Sequence, residues 1–321
     1  MIVITGAAGF IGSCLAGFLN RQGITDIVAV DRFRNPDKKP NFEGKIIAEK
    51  VEREAFHDWL SRNHGLVECI FHLGARTDTA ETDTAIFERL NLNYSRRLWE
   101  QCTEYRIPLI YASSAATYGK GEHGFDDAHA LLPRLNPLNA YARSKHAFDL
   151  WALMQETHPP FWAGLKFFNV YGPNEYHKGR MASVIYHAFR QVSESRCIRL
   201  FRSYHPDYPD GGQLRDFIYV IDVLEVCWFF YRQRPESGIY NVGTGKARTF
   251  NELASSIIQV MNLQAQVTYI DMPEDIKDSY QYNTCAVVSK LRKAGFVRPF
   301  NSLEDGIAHY LTEFLLRGKY F

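Results

Sequence analysis

Ile2-Val-Ile-Thr-Gly6-Ala-Ala-Gly9-Phe-Ile-Gly12 opens the sequence and decides the fold. Residues typical of a strand lead directly into three glycines at intervals of three, and an apolar helical pattern follows over residues 10–22. Glycine at these positions lets the backbone turn tightly and lets its N–H groups approach a phosphate at the N-terminus of a helix. The stretch therefore predicts a βα turn that holds the pyrophosphate of a dinucleotide.

Strand and helix patterns alternate through the first half of the chain. Short apolar runs rich in β-branched or aromatic residues predict buried parallel strands, and the longer segments between them predict helices. The predicted strands are Ile2–Thr5, Ile27–Asp31, Cys69–Leu73, Leu109–Ser113, Gly164–Asn169, Phe217–Val220 and Ile239–Val242. Helices are predicted over residues 10–22, 52–64, 84–105, 139–157, 180–195, 249–261, 286–294 and 302–315, with one more between the last two strands. These elements predict an α/β fold with a doubly wound parallel sheet.

The chain is long enough for two lobes. Its 321 residues exceed the roughly 250–300 at which a single core stops growing. After about residue 170 the alternation of predicted strands and helices becomes less regular, and residues 205–212 are rich in Pro, Gly and Asp. We expect a dinucleotide-binding Rossmann domain over 1–170 plus about 216–245, and a smaller, partly interleaved C-terminal α/β substrate lobe over about 171–215 and 246–321. A ligand cleft between them is expected.

Composition excludes several classes of protein. Thirty-seven Lys and Arg against 36 Asp and Glu leave a net charge of +1, so no bulk attraction to nucleic acid or to a membrane is expected. Six cysteines without a C-x-x-C pair argue against a disulfide framework or a zinc ribbon, and no histidine motif predicts a metal site. No export signal and no apolar run of membrane-spanning length is present, so we expect a cytoplasmic protein.

The end of the second predicted strand bears on which dinucleotide binds. Asp31 follows the glycines by about twenty residues, where a carboxylate accepts from the adenosine ribose and favours NAD. Arg32 comes next, with Arg34, Lys38 and Lys39 nearby, and a guanidinium there could hold the 2′-phosphate of NADP. These residues alone leave both cofactors open.

Three later residues predict proton exchange with an alcohol. Tyr141 and Lys145 share one face of a helix because they are four residues apart. An ammonium near a tyrosine favours the phenolate, which makes the phenol a usable base near neutral pH, and Lys145 can also bond the nicotinamide ribose. Ser114, at the carboxyl end of its strand, can hydrogen-bond the same substrate hydroxyl.

Six motifs over nearly the whole chain resemble those of the extended short-chain dehydrogenase/reductase superfamily of nucleotide-sugar enzymes. They are G-x-x-G-x-x-G at 6, Ser-Ser-Ala-Ala-Thr-Tyr-Gly at 113, Tyr-x-x-x-Lys at 141, Phe-Asn-Val-Tyr-Gly-Pro at 168, Arg-Asp-Phe-Ile-Tyr-Val-x-Asp-Val at 215 and Tyr-Asn-Val-Gly-Thr-Gly at 240. Within that superfamily, His177-Lys178-Gly-Arg-Met-Ala-Ser183 resembles most closely the ADP-L-glycero-D-manno-heptose 6-epimerase family.

This resemblance implies a particular reaction. The enzyme would invert C6 of the heptose of ADP-D-glycero-D-manno-heptose, supplying heptose for the lipopolysaccharide core. A tightly bound cofactor would take a hydride from C6, the resulting aldehyde would turn about the C5–C6 bond, and the hydride would return to the opposite face. The resemblance also implies that Tyr141 and Lys178 are the two acid/base groups, that Ser114 and Lys145 assist them, and that the protein forms a homo-oligomer.

The resemblance further implies two sets of binding residues. The cofactor set is Gly6, Gly9, Phe10, Ile11, Gly12, Asp31, Arg32, Lys38, Arg53, Leu73, Gly74, Ala75, Arg76, Thr77, Asn91, Lys145, Val170 and Lys178. The substrate set is Ser114, Asn169, Arg180, His187, Phe201, Arg202, Ser203, Tyr204, Arg215 and Tyr280. Arg53 stands where the family has a lysine, and together with Lys38 it favours NADP, with NAD as the alternative.

Some positions depart from the family pattern and keep other functions open. Arg180 replaces a small residue, Leu73 stands where an acidic residue is often found, and residues 204–213 form a longer segment than expected. One alternative is another nucleotide-sugar epimerase, such as a UDP-hexose 4-epimerase, which would favour NAD and would not need Lys178. The other is a non-catalytic NADP-binding protein. A 4,6-dehydratase is disfavoured because Ala115-Ala116 replaces its usual Asp-Glu pair.

Overall fold

The computed structural model describes residues 1–79, 81, 83–277 and 280–321. Its strands are β1 Ile2–Thr5, β2 Ile27–Asp31, β3 Glu49–Glu52, β4 Cys69–His72, β5 Leu109–Ser114, β6 Trp162–Phe167, β7 Asn169–Tyr171, β8 Cys197–Phe201, β9 Leu214–Arg215, β10 Phe217–Tyr219, β11 Gly238–Val242, β12 Arg248–Thr249 and β13 Gln266–Ile270. Its α-helices are α1 Phe10–Arg21, α2 Phe56–Asn63, α3 Thr84–Phe87, α4 Tyr94–Glu104, α5 Ala140–Leu153, α6 Val184–Ser195, α7 Val220–Gln233, α8 Phe250–Met261, α9 Glu274–Lys277, α10 Ser289–Lys293 and α11 Leu303–Tyr310. A π-helical turn, Glu88–Asn93, joins α3 to α4, and a second one, Leu311–Leu315, follows α11.

Seven strands form the main sheet in the order β11-β6-β5-β4-β1-β2-β3. Every neighbouring pair in this sheet is parallel. The chain leaves β1 toward β2 and β3 on one side and returns to β4 and β5 on the other, so the strand order reverses beside β1. Ligands bind at the carboxyl ends of the strands at such a reversal. The predicted α/β fold with a doubly wound parallel sheet is confirmed.

Both faces of the main sheet are covered by helices. Side chains alternate along a strand, so Ile2 and Ile4 lie on one face with residues of α1 and α7, whereas Val3 lies on the other with residues of α2, α4 and α5. All three side chains are at most 2% exposed. Burial on both faces explains why these strands read as continuous apolar runs.

The C-terminal half adds three two-stranded sheets. β7 pairs with β10 and β8 with β13 in parallel, whereas β9 and β12 are antiparallel. The pairing of β11 with β6 returns residues 238–242 to the main sheet. The division into a Rossmann domain and a substrate lobe at the stated boundaries stays a prediction.

The structure differs from the sequence-based strands in two ways. The single strand predicted over Gly164–Asn169 is two strands, β6 and β7, which separate at Phe168 and belong to different sheets. β3, β8, β9, β12 and β13 were not predicted. In β3 only Val51 is buried, between charged neighbours, which suits the exposed edge of a sheet but leaves no apolar run to recognise.

The described residues also bear on three of the excluded classes. None of their helices is long and apolar enough to cross a membrane. No group of three or more His, Cys, Asp or Glu side chains among them lies close enough together to hold a metal ion. The six cysteines are free thiols.

Candidate active site

A cleft of about 750 Å³ opens at the carboxyl ends of β1, β2 and β4, where the strand order reverses. Thr5, Asp31 and His72, the last residues of these three strands, line it. So do most of the cofactor residues implied by the sequence, namely Gly6, Gly9, Phe10, Ile11, Gly12, Asp31, Arg32, Lys38, Arg53, Leu73, Gly74, Ala75, Arg76, Thr77 and Lys178. The fold therefore brings together in one cleft residues that lie up to 172 positions apart in the chain.

The glycine turn at the base of the cleft fits a pyrophosphate. Gly6 has a φ of 69°, and a Cβ there would lie 2.7 Å from the backbone of Gly74. A Cβ on Gly12 would lie 2.3 Å from the Gly6 carbonyl oxygen. Any larger residue would push the turn apart, whereas glycine leaves a cradle directly at the N-terminus of α1, where N–H groups and the helix dipole favour an anion.

Asp31 is engaged with the backbone of the same turn. Its Oδ2 accepts from the Ala8 N–H at 2.9 Å, its Oδ1 accepts from the Arg32 N–H at 2.7 Å, and the Lys38 ammonium lies 3.4 Å from Oδ1. Beyond this carboxylate, Arg53 and Arg32 share the Glu54 carboxylate at 2.6 Å and 3.5 Å. At the adenosine end of the cleft, Lys38, Arg32 and Arg53 thus surround two carboxylates.

Tyr141 and Ser114 meet where α5 faces the end of β5. A hydrogen bond joins their side chains, and it opposes the effect of burial, which raises the pKa of Tyr141. Lys145 is 5% exposed, and its Nζ donates to the Ala112 carbonyl at 2.9 Å. Burial lowers the pKa of Lys145 to about 8. Ser114 is thus a group in contact with Tyr141 that lowers the pKa of its phenol, and the assignment of this effect to Lys145 stays a prediction.

Lys178 enters the cleft from a different element, the segment between β7 and α6. Its Nζ lies 5.5 Å from the centre of the Phe10 ring. Burial lowers the pKa of Lys178, and the negative charge of Glu175 acts in the opposite direction. His177 lines the cleft beside it, and burial together with the charges of Lys38 and Lys178 lowers the pKa of this histidine to about 4.

Three residues of the cofactor set do not line the cleft. Lys145 lies behind Ala112, which does. Asn91 is 1% exposed, accepts from the Arg76 N–H at 2.8 Å and donates to Ser144 Oγ at 2.9 Å, so it ties the cleft wall to α5. Val170 lies in β7, which pairs with β10 outside the main sheet.

Two of the substrate residues form a compact pair. Arg215 is 9% exposed, and its guanidinium lies 5.0 Å from the centre of the Tyr280 ring. Phe201 packs edge-on against the same ring, with 6.5 Å between the ring centres. A buried arginine framed by aromatic rings is suited to hold a diphosphate.

The other substrate residues have polar or aromatic partners of their own. Asn169 donates to Thr284 Oγ1 at 3.2 Å, Ser203 N donates to Asp210 at 2.7 Å, and Tyr204 OH donates to Asp271 at 2.9 Å. Arg202 lies 3.8 Å from Asp271, and the His187 ring lies 6.1 Å from that of Tyr186. The Arg180 guanidinium lies 3.5 Å from Asp78, a residue of the cofactor cleft.

Thr5 and His72 are among the polar residues of the cleft that sequence reasoning missed. Thr5 Oγ1 and His72 Nδ1 are 2.7 Å apart, and His72 Nε2 lies 2.9 Å from Ser95 Oγ. Burial and the charge of Lys145 lower the pKa of His72 to about 3, so the imidazole is neutral. Their position at the ends of two central strands was a signal that could have identified them.

Known proteins resemble this chain in both sequence and structure. Residues 2–243 match the model of the NAD dependent epimerase/dehydratase family. The chain is 47% identical over 319 residues to the ADP-L-glycero-D-manno-heptose-6-epimerase of Nitratidesulfovibrio vulgaris (strain DP4), covering 98% of each protein. Among solved structures, the Helicobacter pylori ADP-L-glycero-D-manno-heptose-6-epimerase superposes with a TM-score of 0.80 at 28% identity, covering 97% of this chain and 95% of that one.

A second solved structure, MoeE5 in complex with UDP-glucuronic acid and NAD, superposes with a TM-score of 0.79 at 26% identity, covering 99% of both chains. The resemblance stated from the motifs is confirmed by these matches. The chain therefore belongs to the NAD dependent epimerase/dehydratase family and, within it, to the ADP-L-glycero-D-manno-heptose-6-epimerases.

Proposed function

We propose that this protein inverts C6 of the heptose of ADP-D-glycero-D-manno-heptose by transient oxidation, using tightly bound NADP, for the supply of lipopolysaccharide core heptose. The observation that carries the proposal is the presence of two proton-transfer groups on separate elements. Tyr141 belongs to α5 and meets Ser114 at the end of β5, whereas Lys178 enters the cofactor cleft from the segment before α6. Inversion needs proton transfer at two positions of the carbonyl oxygen, and two separate groups supply it.

The proposed cycle assigns each step to a side chain. When bound, the nicotinamide accepts the hydride from C6 and gives it back. One of Tyr141 and Lys178 takes the proton of the C6 hydroxyl as the C–H bond breaks, which leaves an aldehyde. The aldehyde turns about the C5–C6 bond, and its oxygen then receives a proton from the other group as the C–H bond re-forms on the opposite face. Ser114 orients the oxygen on the Tyr141 side.

Replacing Lys178 by Met should lower the epimerisation rate by about 10²-fold, within the range of general acid–base catalysis. The loss is not complete because Lys178 lies in an open cleft, where water can partly replace it. NMR of the C6 configuration with time measures the rate, and mass spectrometry of the released cofactor measures its content, which should not change. Lys293→Met, on the exposed face of α10, is the control. Near-normal turnover in Lys178→Met would exclude the two-base cycle.

The cations at the adenosine end favour NADP over NAD. The Asp31 carboxylate is held by two backbone N–H groups and by Lys38, so Arg32 and Arg53 remain to meet a 2′-phosphate in place of Glu54. An exchange of one carboxylate for a phosphate with two negative charges strengthens every contact to these guanidinium groups. MoeE5 was solved in complex with NAD, so NAD is the alternative cofactor for this protein.

Arg53→Met should weaken NADP binding by about 10-fold and leave NAD binding unchanged, since a hydrogen bond to a charged group contributes about 1.5–3 kcal/mol and this one is partly exposed. Titration calorimetry with both dinucleotides on cofactor-free protein tests this. Arg97→Met is the matched control. Arg97 forms an ion pair with Asp58 at 3.5 Å, and neither residue lines the cleft. Equal losses for NADP and NAD would refute the assignment of Arg53 to the 2′-phosphate.

The overall proposal has a two-part test. Mass spectrometry should identify NADP released from the purified protein, and NMR should show inversion at C6 after incubation with ADP-D-glycero-D-manno-heptose. Turnover of a UDP-hexose with no reaction of the ADP-heptose would favour the 4-epimerase alternative, and binding without turnover of either would favour a non-catalytic protein. A homo-oligomeric state and a cytoplasmic location stay predictions.

A further inference from the structure

Glu175 is a carboxylate with no exposed surface in the segment that carries Lys178. Its Oε1 accepts from the Gly172 N–H at 3.1 Å, from Ser183 Oγ at 2.8 Å and from Tyr310 OH at 3.1 Å. Its Oε2 accepts from the Ser183 N–H at 2.5 Å. A buried carboxylate is stable only when its oxygens are satisfied, and four donors satisfy this one.

These contacts join the two ends of one segment. Gly172 directly follows β7, and Ser183 caps α6 by accepting from the Tyr186 N–H at 3.2 Å. Lys178 lies midway between them, close to Gly179, whose φ of 54° marks a kink in the backbone. Because one side chain fixes both ends of the segment, it limits where Lys178 can lie. Tyr310 reaches the same carboxylate from α11 but contacts neither end of the segment through it.

We propose that Glu175 is the positioning residue for Lys178, fixing its place in the cleft. This inference rests on the proposed function, in which Lys178 is the second acid/base. Glu175 itself does not line the cleft, so it acts on the reaction only through the segment and through its charge.

The charge of Glu175 acts on Lys178 in a definite direction. Burial lowers the pKa of Lys178, and Glu175 raises it. The other titratable groups around the two residues are His177 on the same segment, Lys38 and Asp31 across the cleft, Cys14 on α1, Tyr176 beside Glu175 and Tyr310 on α11. The pKa of the His177 imidazole is lowered, and the pKa values of the Cys14 thiol and both phenols are raised. Each of these shifts favours the neutral form of the group. Burial raises the pKa of Glu175 itself, whereas its hydrogen bonds to Ser183 and Gly172 and the charge of Lys178 lower it. In its ionised form, Glu175 is the negative charge that raises the pKa of Lys178.

Glu175→Gln should lower kcat by about 10²-fold, the effect of displacing a reacting group by about 1 Å, with KM and cofactor content near those of the wild type. The limb of the pH–rate profile that reports Lys178 should move to lower pH, because loss of the negative charge lowers the pKa of Lys178. The direction is the same whether Lys178 acts as acid or as base. Lys178→Met identifies that limb by removing it.

Two further variants complete the test. Glu175→Asp keeps the charge but is one methylene shorter, so kcat should fall while the limb stays near its wild-type pH; this variant also serves if Glu175→Gln does not fold. Tyr310→Phe keeps the carboxylate and both contacts to the ends of the segment, so its kcat and pH profile should match the wild type.

A wild-type kcat and pH profile in Glu175→Gln, or a wild-type kcat in Glu175→Asp, would overturn this proposal. A fall in kcat that only matches a fall in cofactor content would also overturn it, since that is the result of a merely structural role. Near-normal turnover in Lys178→Met would overturn the proposed function as well, which distinguishes the two failures.

Discussion

Tyr141→Phe should lower the epimerisation rate by about 10³-fold, the largest loss of activity expected from one hydroxyl in this protein. The phenol is the proton-transfer group bonded to Ser114, and phenylalanine has no proton to exchange and no oxygen to bond. NMR of the C6 configuration under single-turnover and steady-state conditions measures the loss.

The cofactor should stay bound in Tyr141→Phe, since the glycine turn and the cations that hold it are on other elements. Mass spectrometry of the released dinucleotide checks this point. Tyr231→Phe is the matched control, because that phenol also has a polar partner, Glu68 at 2.8 Å, but belongs to α7 and is outside the cleft. If Tyr141→Phe kept a tenth or more of the wild-type rate, Tyr141 would not be an acid/base of this reaction.

Breaking the ion pair behind the active site should cause the largest loss of stability. Asp149 on α5 and Lys166 on β6 are both fully buried, with 2.6 Å between their charged groups. Asp149 also accepts from Ser113 at 2.6 Å, and Lys166 donates to Thr117 at 2.7 Å. Either Asp149→Asn or Lys166→Met alone leaves one buried charge without a partner, which should lower the free energy of unfolding by about 3–5 kcal/mol.

The double variant Asp149→Asn/Lys166→Met should be more stable than the sum of the two single effects predicts, since it buries no charge and keeps an acceptor for Ser113. Urea unfolding of all four proteins gives the coupling energy. Simple additivity, or a loss below about 1 kcal/mol in either single variant, would mean that the pair does not behave as a buried ion pair. The same contacts tie α5 to β5 and β6, so they also set the orientation of Tyr141 toward Ser114.

Much of the fold could be predicted because its signals are local. The runs Ile2–Thr5 and Ile27–Asp31 are strands at the predicted residues, since burial on both faces of a parallel sheet requires a continuous apolar run. The three glycines of the turn lie close together in the chain, and so do Tyr141 and Lys145, so both patterns are local. In contrast, β3 could not be predicted, because an edge strand needs few buried side chains.

The sequence by itself determined the doubly wound sheet, the dinucleotide turn and the family, because these depend on spacing within short segments. Only the tertiary structure decided which groups meet: Asp149 with Lys166, Glu175 with both ends of its segment, Arg180 with Asp78, and Tyr141 with Ser114. The physical reason is that charge pairing and hydrogen bonding act over a few ångströms in space between residues that are distant in the chain. No periodicity along the sequence records these distances.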